Sequence, residues 1–161
     1  MLYLRPRLTY PLPCTSLTEK QCRHIQAPAI AALLPKLNLN RHTPHAVVFR
    51  DYKYRGIGLP AMYTNQGFQQ LKYLLGHLQL QDDVGKLILI HLSEYQLTLG
   101  IHRPFLLAPF SHYAKFVNTY WLSSVWQYAS RIQLKIDIQD HWVPNLSRAG
   151  DVLLMDFAFA L

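Results

Sequence analysis

The 161-residue sequence predicts a mainly α-helical fold: a single helical domain of about four to five helices, with a small β-hairpin and one further short strand. Three observations predict it. Apolar residues recur at spacings of three and four through most of the chain, as one buried helix face requires. Half of the residues are apolar and 16% are charged, which argues against disorder and supplies side chains for a core. Two short stretches, 46–49 and 134–138, are instead β-branched and aromatic or alternating, and read as strands.

Residues 1–15 are basic and proline-rich and read as an extended entry segment to a domain over 16–161. Ser16 and Glu19 have the spacing of a capping box. They open a helix to about Leu37, whose expected inward stripe is Cys22, Ile25, Ala29, Ala32, Leu33 and Leu37. Pro28 and Pro35 each remove an intrahelical hydrogen bond, so a kink or break is expected at one or both. A polar connector over 38–44 leads to the hairpin. Ala46-Val47-Val48-Phe49 and Ile57-Gly58-Leu59 are its arms, and Asp51-Tyr52-Lys53-Tyr54-Arg55-Gly56 is its turn. Gly56 and Gly58 mark positions for a positive φ or a close backbone approach.

Thr64 is the expected N-cap of a second helix, buried through Leu71, Leu74, Leu75 and Leu78. Asp82 or Asp83 caps a third, with Val84, Ile88, Leu92, Tyr95 and Leu99 inward and Gly100 at its C-terminal end. A loop over 101–113 precedes a fourth helix over 118–132, with Trp121, Leu122, Val125 and Ala129 inward. A strand over 134–138 and a short amphipathic helix over 150–158 complete the order.

The net charge is +7, and all of it lies within residues 1–60. Arg5, Arg7, Lys20, Arg23, Lys36, Arg41, Arg50, Lys53 and Arg55 face only Glu19 and Asp51 there, whereas cations and acids balance in the rest of the chain. Like charges packed together oppose compaction, and the usual reason for such an imbalance is a polyanionic partner, nucleic acid first. The run from Arg50 to Arg55 interleaves cations with aromatics. Cations neutralise phosphates and release counterions, while tyrosine faces stack on bases or sugars. The expected binding residues are Lys20, Arg23, Lys36, Arg41, Arg50, Lys53, Tyr54 and Arg55, acting on the backbone of an RNA or DNA duplex by shape rather than sequence.

No catalytic constellation, cofactor or metal site is expected. His42 and His45 lack cysteines or an acid pair at zinc-site spacing, and Cys14 and Cys22 read as free thiols. Asp82-Asp83 reads as a helix cap rather than a metal-binding carboxylate pair, and His91 with Glu94 as a surface contact. No stretch approaches the roughly 20 apolar residues of a membrane span. Arg5, Pro6, Arg7, Pro11 and Pro13 interrupt any secretory hydrophobic region. An intracellular protein, cytoplasmic or nuclear, is expected, with no membrane partner.

The order of several short motifs adds a family resemblance. Residues 8–22 run from Leu8-Thr9-Tyr10-Pro11-Leu12-Pro13 into the first helix, which ends in Leu34-Pro35-Lys36-Leu37. Arg41 to Phe49 then has the form Arg-x-x-Pro-x-Ala-Val-Val-Phe, followed by Ile57-Gly58-Leu59 and Met62-Tyr63-Thr64-Asn65-Gln66-Gly67. Trp142, Pro144, Arg148, Asp151, Met155 and Asp156 continue the pattern. In this order the segments resemble the thumb or connection region, C-terminal to the palm, of reverse transcriptases (RNA-directed DNA polymerases) of non-LTR-type retroelements. The resemblance implies a helical thumb beside a primer–template duplex, with the palm or an RNase H-like part as protein partner. Arg50 and Tyr54-Arg55-Gly56 depart from the family's glycine-rich tip, which makes the tip more basic here. Fingers, palm and a Tyr-x-Asp-Asp motif are missing from the sequence, so no polymerase activity is expected of this chain alone. The alternatives are a docking segment, in which Trp121 and Trp126 meet a protein neighbour, and a degenerate retroelement reading frame with no independent activity.

Overall fold

The computed structural model describes residues 10–101, 103–118 and 120–138. Six α-helices occur among them: α1 (Glu19–Lys36), α2 (His45–Phe49), α3 (Met62–Leu80), α4 (Asp83–Leu99), α5 (Phe110–Tyr113) and α6 (Trp121–Arg131). Short 3-10 turns lie at Leu12–Cys14, Tyr52–Tyr54, Phe105–Leu107 and Ala114–Phe116. The chain divides into two compact units, residues 1–69 and 70–161, with the boundary inside α3. Arg5, Arg7 and the helix expected over 150–158 lie outside the described residues.

The mainly helical class is observed, but the β elements are not: no described residue lies in a strand. Residues 46–49 belong to α2, because Pro44 fixes the chain at its N-terminus and the Pro44 carbonyl accepts from Val47 N–H at 2.9 Å. Residues 134–138 form no regular element. Leu134 N–H turns back to the Ala129 carbonyl at 2.8 Å and Ile136 is buried, yet a strand also needs a neighbouring ladder, and none pairs with this segment among the described residues.

In the first unit, α1 starts later than Ser16 and Glu19 suggest. Its N-cap is Thr18, whose Oγ1 accepts from Gln21 N–H at 3.3 Å while Gln21 Oε1 accepts from Thr18 N–H at 2.8 Å. The helix then runs through Pro28 and Pro35 without a break. Its buried residues are Cys22, Ile30 and Leu34, whereas Ile25 and Leu37 are exposed. The inward face therefore follows a spacing of four and includes Gln26, a position that an apolar-only stripe passes over. That amide holds the start of the next long helix: Nε2 donates to the Pro60 carbonyl at 2.8 Å and Oε1 accepts from Met62 N–H at 3.1 Å. The helix begins at Met62 rather than after Thr64. Gln66, almost fully buried, donates to the Leu17 carbonyl at 3.0 Å and accepts from Thr15 and Cys22. Cys14 and Cys22 are both free, and burial pushes the Cys22 thiol above its ordinary pKa.

In the second unit, α4 buries Ile88, Leu92, Gln96 and Leu99, and Gly100 ends it in the left-handed conformation (φ 64°). Gln96 secures the loop that follows. Its Nε2 donates to the carbonyls of Ile101 and Arg103, and its Oε1 accepts from Phe105 N–H at 3.0 Å. The loop closes on Trp126 of α6, which is wholly buried. Trp126 Nε1 donates to the Ala108 carbonyl at 2.7 Å, and the rings of Phe105 and Phe110 meet the indole edge-on at 5.2 and 5.1 Å. Leu71 and Leu74 of α3 are buried as expected, but Leu75 is exposed.

Asp82 joins α3 to α4. Its Oδ1 accepts from Gly85 N–H and its Oδ2 meets His77 Nδ1, both at 2.7 Å. A Cβ on Gly85 would overlap the His77 carbonyl, so only glycine permits this approach. The Gly85 hydrogen bond and then His77 hold the Asp82 carboxyl below the ordinary carboxylate range. A lowered pKa gives stability that is complete above about pH 4, the unfolded value, and is lost as pH falls through the lower folded value. Asp82→Ala is expected to lower the Tm at pH 7, and thermal melts of variant and wild type should converge as the pH drops below about 4.

Candidate nucleic-acid interface

The basic stretch 50–59 is a tight loop closed on the end of α2. A five-residue helix leaves its last carbonyls without intrahelical donors. The returning segment supplies them: Ile57 N–H donates to Val47 at 2.9 Å and Leu59 N–H to Val48 at 3.1 Å, while Gly58 N–H meets the Arg50 carbonyl at 2.8 Å. Val48 is buried in a small core with Ile30 and Leu34, against which Leu39, Phe49, Ile57 and Leu59 pack. The loop and the C-terminal end of α1 thus hang on one cluster.

Within this closure, Asp51 caps the 3-10 turn by accepting from Lys53 N–H at 3.1 Å. Gly56 N–H donates to the Asp51 carbonyl at 3.1 Å. Gly56 passes so close to Arg50 that a Cβ there would overlap the Arg50 backbone carbonyl. Gly58 has a positive φ of 68°. The two glycines singled out in the sequence therefore serve the two uses expected of them, one a close approach and the other a left-handed turn.

The closure pushes Arg50, Tyr52, Lys53, Tyr54 and Arg55 outward, and all five are exposed. Arg50 Cζ and Lys53 Nζ stand over the Tyr54 ring at 5.6 and 5.8 Å from its centroid, within cation–π range. Arg55 ends the 3-10 turn in the left-handed conformation (φ 61°). A non-glycine residue there costs about 1 kcal/mol or more, because Cβ crowds the following carbonyl.

The described part of the first unit carries seven cations and two carboxylates, a net +5. Both carboxylates are engaged. Glu19 pairs with Arg23 at 2.6 Å, and Asp51 holds the Lys53 amide. Of the expected binding residues, the structure gathers Arg50, Lys53, Tyr54 and Arg55 on the turn. Lys36 lies in the last turn of α1, near the same small core, where a cation also complements the helix dipole. Lys20 and Arg23 sit in the first turns, and at 1.5 Å per residue Lys20 is about 24 Å along the axis from Lys36. They form no continuous ridge with it. Arg41 is exposed in the connector, next to the turn closed by Thr43 N–H on the Asn40 carbonyl at 2.9 Å. Tyr52, which the sequence reading leaves out of the binding set, is the most exposed ring of the turn at 74%, against 57% for Tyr54.

The second unit offers a cleft of about 570 Å³ with Phe116, Tyr120, Trp121, His91 and Glu94 on its walls. His91 Nδ1 and Glu94 Oε2 are 3.5 Å apart and both exposed. No group of three His, Cys, Asp or Glu side chains among the described residues is placed to hold a metal ion. Among the described residues no helix is long and apolar enough to cross a membrane. The chain matches no known family, no curated protein and no solved structure.

The turn depends on Gly56 more than on any cation. Gly56→Ala forces the Arg50 carbonyl to move, and a displaced backbone costs about 1–3 kcal/mol or more. The expected outcome in chemical denaturation is a lower midpoint with an unchanged m-value, together with weaker polyanion binding, since Arg50, Lys53 and Arg55 lose their common frame.

Proposed function

We propose that this chain is a non-catalytic nucleic-acid-binding segment that grips the phosphate backbone of a primer–template-like duplex, in the manner of a reverse-transcriptase thumb. The observation that carries the reading is the turn itself. Four residues in six are cations or a cation-bearing tyrosine, projected together from a glycine-closed loop, and none of its three cations pairs with a carboxylate of the described residues. Phosphate contacts of this kind give affinity and register without reading sequence.

A second reading, a protein-docking segment, has its own support, though not from the tryptophans. Trp126 is wholly buried and does not dock as expected, and Trp121 is half-buried in the wall of the cleft. On α4, Leu87, Ile90 and Leu97 are exposed instead, at spacings that share one helix face. A chain that is a clean monomer on size exclusion counts against this reading.

The nucleic-acid reading is tested by fluorescence anisotropy with a labelled, blunt RNA–DNA duplex at about 50 and 200 mM salt. A protein making six to ten phosphate contacts loses about 10³–10⁵ in affinity over that range. The triple variant Arg50→Ala, Lys53→Ala, Arg55→Ala is expected to reduce the slope of log K against log salt by about three. Affinity that ignores salt overturns the reading. Arg55→Gly separates function from folding: it relieves about 1 kcal/mol of backbone strain, so its Tm should hold or rise while its duplex affinity falls.

A further inference from the structure

The two tyrosines of the turn are not equivalent. Tyr54 lies beneath two cations and is occupied in positioning them. Tyr52 carries no such partner and is the more exposed. One edge of its ring fills the space where a side chain on Gly58 would stand. A Cβ built on that glycine would stand 2.7, 2.8 and 3.3 Å from Cε2, Cδ2 and Cζ of the ring. These distances put the Cβ direction of Gly58 above the Cδ2–Cε2 edge of the ring, out of the ring plane. Gly58 is itself fixed by its hydrogen bond to the Arg50 carbonyl and by its positive φ. The ring therefore lies near main chain along one edge, and at 74% exposure most of it is open to solvent.

We infer that Tyr52 is a stacking platform for one unpaired nucleobase, so that the turn takes a duplex end carrying a single-stranded overhang. This rests on the phosphate-binding reading above, which places a polyanionic backbone against Arg50, Lys53 and Arg55. Base–aromatic stacking needs an accessible π-face and nearby cations for the flanking phosphates. Tyr52 has both. A base inside a duplex has both faces covered by its neighbours, which leaves an overhanging or frayed base as the group that fits. The contact tolerates any sequence, because every base has a π-face.

The test compares three probes by anisotropy on the full chain: a blunt RNA–DNA duplex, the same duplex with a four-nucleotide overhang, and that overhang strand alone. Stacking of one base contributes about 5- to 150-fold by substitution. The wild type is expected to bind the overhang duplex at least about 5-fold more tightly than the blunt one. Tyr52→Leu keeps apolar bulk over Gly58 and removes the π-face, so it should abolish that difference and leave blunt-duplex affinity within about twofold. Tyr52→Phe should retain the difference. Circular dichroism melts of both variants check that the turn's fold survives. Equal affinity of the wild type for blunt and overhang duplexes, or equal losses on both with Tyr52→Leu, overturns the stacking assignment and leaves the charge-based reading standing. Binding of none of the three probes overturns both.

Discussion

The five-residue helix α2 ends with carbonyls that its own backbone cannot satisfy, and the shape of the basic turn follows from how they are met. Val48 is fully buried at that end, so water is a poor partner, and an unpaired buried carbonyl would cost about 1–3 kcal/mol. The chain has to come back at once and present N–H groups to Val47, Val48 and Arg50. So short a return leaves no room for a side chain where it crosses Arg50, which requires Gly56, and it reverses through left-handed residues at Arg55 and Gly58. With every inward position of the loop taken by backbone, the side chains between Arg50 and Arg55 have only solvent to face. The exposed basic surface is thus a by-product of satisfying a helix end.

Buried amides solve the comparable problem elsewhere. Gln66 fixes the chain ahead of α1 to the start of α3, and Gln96 fixes the loop after α4. Each uses donor and acceptor at once, which Leu or Met in the same space could not do. Apolar packing is non-directional and tolerates slippage, whereas an amide with defined carbonyl and N–H partners selects one register. In the second unit the Gln96 contacts hold Phe105 where it meets Trp126, so the aromatic core is placed by a polar residue.

The four long helices were legible in the sequence because their signals are local: Gly100 and Asp82 mark ends by chemistry that acts within one turn. Gly56 and Gly58 were legible as special backbone positions for the same reason. The strands failed because a β-branched run such as Val47-Val48-Phe49 states only that the segment is apolar. Whether it extends depends on a partner ladder, and here the return segment caps a helix instead of pairing with a strand. The inward stripe of α1 was misread where a polar residue, Gln26, occupies the buried face and Ile25 beside it does not. The sequence treats Tyr52 and Tyr54 alike as aromatics between cations; only the fold reveals that Tyr54 lies beneath two cations while Tyr52 stands beside Gly58.

The charge on the first unit bears on function through what it does not accomplish in the fold. In water two exposed charges at 4 Å interact by only about 1 kcal/mol, so seven surface cations neither build nor wreck a domain. A fold under no other demand would gain from acids among them, yet Glu19 is spent on Arg23 and Asp51 on a backbone amide. Arg55 is the sharper case. Its conformation is one that glycine adopts freely and arginine does not, and the residue beside it is already glycine. Asn38, Gln81 and Gln133 share that conformation at φ 56°, 51° and 57°, so a left-handed backbone at a side-chain-bearing residue belongs to how this chain ends and reverses its helices and turns. What sets Arg55 apart is its neighbourhood: it stands exposed beside Arg50 and Lys53, and under the reading proposed above its five N–H donors in a planar fork suit a phosphate.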